Sequence, residues 1–146
     1  MTDVMTEQTK LIVFQLHDKE YALEVENVRS IEKLEHITRV PKTPDYVKGV
    51  INLRGVVTPI VDLRVRFGLS SIQDTEHTRV IMVILDDKEV GLIVDAANDV
   101  LDVHTEDIED SPDVAGVQEA DYVAGVVKLD KRLLILLHLD KVLQAL

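Results

Sequence analysis

Asp45-Tyr46-Val47-Lys48-Gly49-Val50 returns as Asp121-Tyr122-Val123-Ala124-Gly125-Val126, with five of six positions identical at an offset of 76. Two of the chain's three tyrosines lie in this motif. Upstream, Leu11-Ile-Val-Phe-Gln-Leu-His-Asp-Lys-Glu-Tyr-Ala-Leu-Glu-Val25 resembles Val80-Ile-Met-Val-Ile-Leu-Asp-Asp-Lys-Glu-Val-Gly-Leu-Ile-Val94 at an offset of 69. The two echoes keep their order in each half, so one small unit is built twice. A period near seventy residues is too long for a solenoid repeat. Duplication supplies a seam between copies and two separate outer faces.

Working outward, residues 11–16 form an apolar run of strand length, followed by the turn His17-Asp18-Lys19-Glu20. Tyr21, Leu23 and Val25 then alternate with polar or small residues, so 11–26 reads as a β-hairpin. Val25, Val28, Ile31 and Leu34 recur every three residues, which suggests a short helix or turn with one apolar stripe. Thr43-Pro44 resembles a helix N-cap with proline in the first turn, and Gly49 a C-terminal αL glycine. The repeated motif is therefore expected to be a short helix delivering the chain into a strand, with its Tyr and Val packing inside. Residues 50–53 and 56–63 read as strands around an Arg54-Gly55 turn. Pro59 cannot donate to a ladder and places its strand at an edge or a bulge. Residues 68–78 are polar and read as the link between copies. The second copy repeats the pattern from Val80. Its last hairpin turns at Asp130-Lys131-Arg132, and a short terminal helix follows over 140–146. Short strands with frequent turns indicate an all-β fold. The expected architecture is two pseudo-symmetric five-stranded SH3-like barrels with a few short helices. The subdomain boundaries are about 11–67 and 79–146, and strand exchange between barrels is allowed for.

The 46% hydrophobic content supports a globular core. No apolar run approaches the roughly 20 residues of a membrane span. The polar start lacks a signal-peptide core, and there is no cysteine, so a cytoplasmic location is expected. Net charge is −11. Residues 1–80 carry 11 basic and 12 acidic side chains, whereas residues 81–146 carry 5 and 15. That excess disfavours nucleic acid and an anionic membrane surface, and leaves a basic protein as the simplest partner for the second half.

Motifs of catalysis are missing. The chain has no Gly-rich phosphate loop, no Gly-x-Ser-x-Gly elbow and no histidine pair at helical spacing. Glu106, Asp107, Glu109, Asp110 and Asp113 lack EF-hand spacing and read as a solvated acidic loop. With no tryptophan and few aromatics, a base-stacking surface is also disfavoured. No enzyme activity, metal or cofactor is expected. What remains is binding to other proteins.

Gly49-Val-Ile-Asn-Leu-Arg-Gly55 followed by Pro59-Ile-Val-Asp-Leu63, then Val90-Gly-Leu-Ile-Val-Asp95 and Arg132-Leu-Leu-Ile-Leu-Leu-His-Leu-Asp-Lys-Val-Leu143, resemble the CheW family of bacterial chemotaxis adaptors. The likeness runs from about Lys10 to Leu143. It implies two interleaved SH3-like barrels and no catalysis. It also implies two partners: the regulatory domain of the histidine kinase CheA, and the cytoplasmic hairpin tip of chemoreceptors. Similar contacts imply weak self-association in ring assemblies beneath the membrane, without direct membrane insertion. Carried onto this chain, the receptor groove uses Ile12, Val25, Val28 and Ile31, and coupling to kinase and receptor involves Gly49, Arg54 and Gly55. An apolar groove suits an amphipathic helix. A guanidinium at a turn suits a carboxylate. Some family members pair the arginine with a glutamate at the position of Ser30; here Glu32 or a partner would have to serve. The alternative is a regulatory domain cut from a larger kinase or a CheV-type adaptor.

Overall fold

The first echo is a pair of hairpins with one register. In the computed structural model, which describes residues 7–70, 73–110 and 121–144, strands β1 (Gln8–Leu16) and β2 (Lys19–Glu24) pair Ile12 with Leu23. Strands β6 (Arg79–Leu85) and β7 (Lys88–Val94) pair Ile81 with Leu92, which is the same register moved by 69. Both are apolar on two faces. Ile81, Met82, Val83 and Leu92 are all fully buried, which explains runs without polar alternation.

The second echo is also a hairpin pair. Strands β4 (Val47–Leu53) and β5 (Val56–Asp62) match β10 (Val123–Leu129) and β11 (Arg132–Leu137) at the offset of 76. Each carries a β-bulge at the same place, between Val47 and Gly49 and between Val123 and Gly125. Each is followed by a one-turn helix, α1 (Leu63–Arg66) or α2 (Leu139–Val142). The repeated motif is therefore not an α-helix: in the second copy Asp121-Tyr122 are a 3-10 turn before Val123, and in the first copy the same positions are a plain turn. Tyr46 ends a turn, and the strand begins at Val47. Gly49 has φ +146° inside β4, and a Cβ there would lie 2.1 Å from the Thr38 carbonyl oxygen. Glycine thus serves the close approach of another backbone segment, where Thr38 bridges Val50, rather than a helix end. At Gly125 the Glu109 carbonyl takes the same place, 2.8 Å from such a Cβ.

The remaining strands are β3 (Val28–Lys33), β8 (Ala96–His104) and β9 (Ile108–Glu109). Among the described residues they complete two sheets, in the orders β8-β1-β2-β11-β10-β9 and β3-β6-β7-β5-β4. The fold is all-β. One sheet has the expected five strands. The other has six, because Ile108–Glu109 pairs with β10 as a strand where the first copy makes only the Thr38 bridge.

Each of the two compact units combines parts of 11–67 and of 79–146. One consists of Met1–Val25 with Asn98–Leu146, and the other of Glu26–Ala97. The cause is parallel pairing: β2 joins β11, Tyr21 opposite Ile135, and β5 joins β7, Val61 opposite Leu92. Each unit thus takes the first hairpin of one copy and the second hairpin of the other. Residues 68–78 consequently connect α1 to β6 within the second unit, and do not separate the units.

Pro59 lies in an interior strand, yet its ladder is one-sided. The parallel pairing of β5 with β7 starts only at Ile60, so β5 is an edge as far as Pro59. The core of the first unit contains Leu11, Val13, Ala22, Val103, Val127, Leu134 and Leu136. That of the second contains Ile60, Val80, Met82 and Ile93, with Leu34, Ile37, Ile51 and Leu53 packed against it.

Candidate functional site

The apolar stripe at Val25, Val28 and Ile31 has a different origin from the expected helix. Val25 opens a 3-10 turn, Val25–Asn27, and Val28 and Ile31 lie in β3. A bulge between Val28 and Ser30 adds one residue to the strand, so Val28 opposes Val83 and Ile31 opposes Ile81. Val83 and Ile81 share a sheet face, so Val28 and Ile31 share it too, although they are three apart. Leu34 leaves this stripe and packs against the core of its unit. Val28 is half-buried and Ile31 is 41% exposed, on the edge strand of the five-stranded sheet. Ile12 is buried in β1, and Val25 is half-buried at the end of the first unit.

Arg54 and Gly55 form the two-residue turn between Leu53 and Val56. Their φ values are +54° and +81°, the geometry of a type I′ turn. Asn52 Oδ1 accepts the Gly55 N–H at 3.0 Å and fixes the tip. A Cβ on Gly55 would meet nothing within 4 Å, so glycine is there for its φ alone. Arg54 is exposed, and among the described residues it makes no hydrogen bond or salt bridge; Glu32 does not pair with it. Ser30 faces the Met82 side of its sheet, where its Oγ is buried without a hydrogen-bond partner. Beside the tip, Val56 and Val57 are 51% and 64% exposed. Gly49, by contrast, is buried, and the Thr38 contact accounts for it.

A charged cluster at the foot of the same hairpin carries no sequence motif. The Arg64 guanidinium is 3% exposed. Its Nε and Nη2 donate to the two oxygens of Asp62 at 2.9 and 3.0 Å. Nη1 donates to Asp95 at 3.1 Å and Nη2 also to Asp74 at 3.2 Å. Asp62 further accepts the Arg64 N–H, capping α1. Burial by itself would lower the arginine's pKa; the hydrogen bond and charge of Asp62, then Asp74 and Asp95, outweigh it and raise it. The one available signal is Asp-x-Arg at a strand end, which the second copy replaces with His138-x-Asp140. There the side chains are exposed and 3.8 Å apart. His138 is exposed at the N-terminal boundary of α2, where its side chain makes no capping hydrogen bond, and its backbone N–H donates to the Tyr122 carbonyl.

The described acidic residues after β8 are exposed and gather no ligand set. Thr105–Asp107 is a 3-10 turn, and no group of three metal-ligating side chains occurs among the described residues. Asp113 lies outside the described residues. No helix among the described residues is long and apolar enough to cross a membrane. A cavity of about 1020 Å³ lies in the second unit, under the loop from Ile37 to Lys48. None of the expected site residues lines it.

These features define a class: an all-β protein made of two strand-exchanged copies, with candidate contact residues on an edge strand and a hairpin tip. Comparison with known proteins is consistent with that class. The CheW-like domain family matches residues 10–146. "Chemotaxis protein CheW" of Bacillus subtilis (strain 168) is 47% identical over 145 residues, covering 98% of this chain and 92% of that protein. The protein of the same name from Klebsiella aerogenes is 37% identical, covering 93% and 82%. The crystal structure of scaffolding protein TtCheW from Thermoanaerobacter tengcongensis matches with a TM-score of 0.88 at 33% identity, covering 95% of this chain and 94% of that one. The chain belongs to the CheW-like domain family.

Proposed function

We propose that this protein is a non-enzymatic adaptor that couples chemoreceptors to the histidine kinase CheA. Its relatives bear the name of a chemotaxis protein, and its structural neighbour is named a scaffolding protein. The adaptor works from the cytoplasm, at arrays of membrane-bound receptors, where weak self-association helps ring assembly. The receptor contact uses Ile12, Val25, Val28 and Ile31, and coupling uses Arg54 on its Gly55 turn, with Gly49 holding the hairpin's shape.

The observation that carries this reading is the bulge in β3, which brings Val28 and Ile31 onto one face of an edge strand. An apolar stripe with partial exposure fits the apolar side of a receptor helix. The exposed Arg54, flanked by Val56 and Val57, fits a partner carboxylate set in an apolar surround. The test is co-sedimentation with a receptor cytoplasmic fragment, with and without CheA. Val28→Asp sets an unpaired charge against an apolar partner. Receptor pelleting is expected to fall at least tenfold while the variant's circular dichroism stays native. Undiminished pelleting would remove β3 from the receptor contact.

A further inference from the structure

Each half of this chain carries half of two cores and all of neither. In the first unit, Leu11, Val13 and Ala22 come from the first half, and Val103, Val127, Leu134 and Leu136 from the second. In the second unit, Ile60 comes from the first half, and Val80, Met82 and Ile93 from the second. The polar contacts divide the same way. Arg132 of the second half donates to Glu20 of the first at 3.0 and 2.8 Å. Arg64 of the first half donates to Asp95 of the second at 3.1 Å. Lys10 meets Asp102 at 3.7 Å, and the Thr105 N–H donates to the Glu7 carbonyl at 2.9 Å. Both parallel pairs, β2 with β11 and β5 with β7, also join one half to the other. Against all this, the halves are covalently joined once, between α1 and β6.

We propose that a second copy of this chain can supply either half, giving a reciprocally strand-exchanged dimer. Residues 7–67 of one chain then pair with residues 79–144 of the other, twice over. Every core contact and parallel ladder named above is kept; only the connection from α1 to β6 passes between molecules. The dimer therefore differs from the monomer in the concentration at which the halves meet and in the contacts of the connection itself, such as Asp74 with Arg64. Tethering by so short a connection gives an effective concentration on the order of 1 mM. Chains brought through the unfolded state near 1 mM should divide comparably between monomer and exchanged dimer, and at about 10 µM roughly one in a hundred should exchange. This association differs from face-to-face contact of folded surfaces, because it requires both units to open first.

The experiment mixes equal amounts of 15N-labelled and unlabelled full-length protein. One arm is equilibrated at the urea midpoint at about 1 mM, one at about 10 µM, and one at about 1 mM without urea. All are returned to buffer, diluted to low micromolar and read by native mass spectrometry. The expected result is abundant mixed-isotope dimer in the concentrated urea arm, about one chain in a hundred in the dilute urea arm and none without urea, with a lifetime after dilution set by unfolding. Recovered soluble protein that is entirely monomeric in that arm overturns the proposal. So does an equal yield of mixed dimer without urea, which is the mark of face-to-face association.

Discussion

The two units are assembled from the same parts and have drifted in different directions. Each contains a first hairpin, a second hairpin joined to it in parallel, and a one-turn helix after the second hairpin. Charge separates them. Glu26–Ala97 holds 10 basic and 11 acidic side chains, while Met1–Val25 with Asn98–Leu146 holds 6 and 16. Almost the whole net charge of the protein thus resides in one unit. The foot of the second hairpin diverges most. In the second unit it is a buried arginine held by three carboxylates; in the first it is an exposed histidine beside an aspartate. The tips diverge as well, Arg54-Gly55 at positive φ in one and Asp130-Lys131 in the other. Equivalent positions that share a backbone but not an environment make this protein its own control.

The largest break in that comparison is expected at the feet. Arg64→Leu leaves Asp62, Asp95 and Asp74 without their cation, and breaking a buried ion pair by removing one partner costs about 3–5 kcal/mol. Asp140→Ala, at the equivalent position, removes an exposed pair and should cost under about 0.5 kcal/mol. Urea denaturation of both variants checks this, and equal losses would mean that the Arg64 cluster is solvated in solution. A smaller effect is expected at the bulges. Gly49→Ala drives a Cβ into the Thr38 carbonyl from a backbone conformation that suits glycine, and should cost about 2–4 kcal/mol. At Gly125, where the gap is wider, Gly125→Ala should cost roughly half as much, read from the same melts. The smallest change in stability belongs to the tips, and there the readout is coupling. Arg54→Glu should leave the melting temperature within about 2 °C while lowering receptor-dependent kinase activation at least fivefold. Asp130→Arg should change neither. Normal activation by Arg54→Glu would free the turn from any partner role.

Much of this fold is legible in the sequence, because local periodicity and turn chemistry encode hairpins. The echo at 69 gives the register of β1–β2 and β6–β7, and the echo at 76 that of β4–β5 and β10–β11. What periodicity does not encode is which hairpin lies beside which. The crossing of β2 to β11 and of β7 to β5 leaves no mark in either copy, so the sequence allows for exchange without saying which strands exchange. The β3 stripe shows a second limit. A bulge lets residues three apart share a face, and that spacing is indistinguishable from a helical turn. Among the candidate site residues, the Arg54-Gly55 turn is written in two residues of suitable type. The Arg64 cluster is not, since its partners come from positions 62, 74 and 95 and meet only after folding.

The interleaving also sets how the units share stability. The first unit's two segments are separated in sequence by residues 26–97, which make up the second unit. If those residues are unfolded, pairing β1 and β2 with β8, β10 and β11 must close a loop of about 70 residues, at an entropic cost of roughly 4 kcal/mol. Once residues 26–97 are folded, that cost has already been met, because their own sheet holds the loop's chain in order. The second unit thus acts as a chaperoning insert for the first, and Arg64→Leu is expected to shift a single urea transition rather than split it in two.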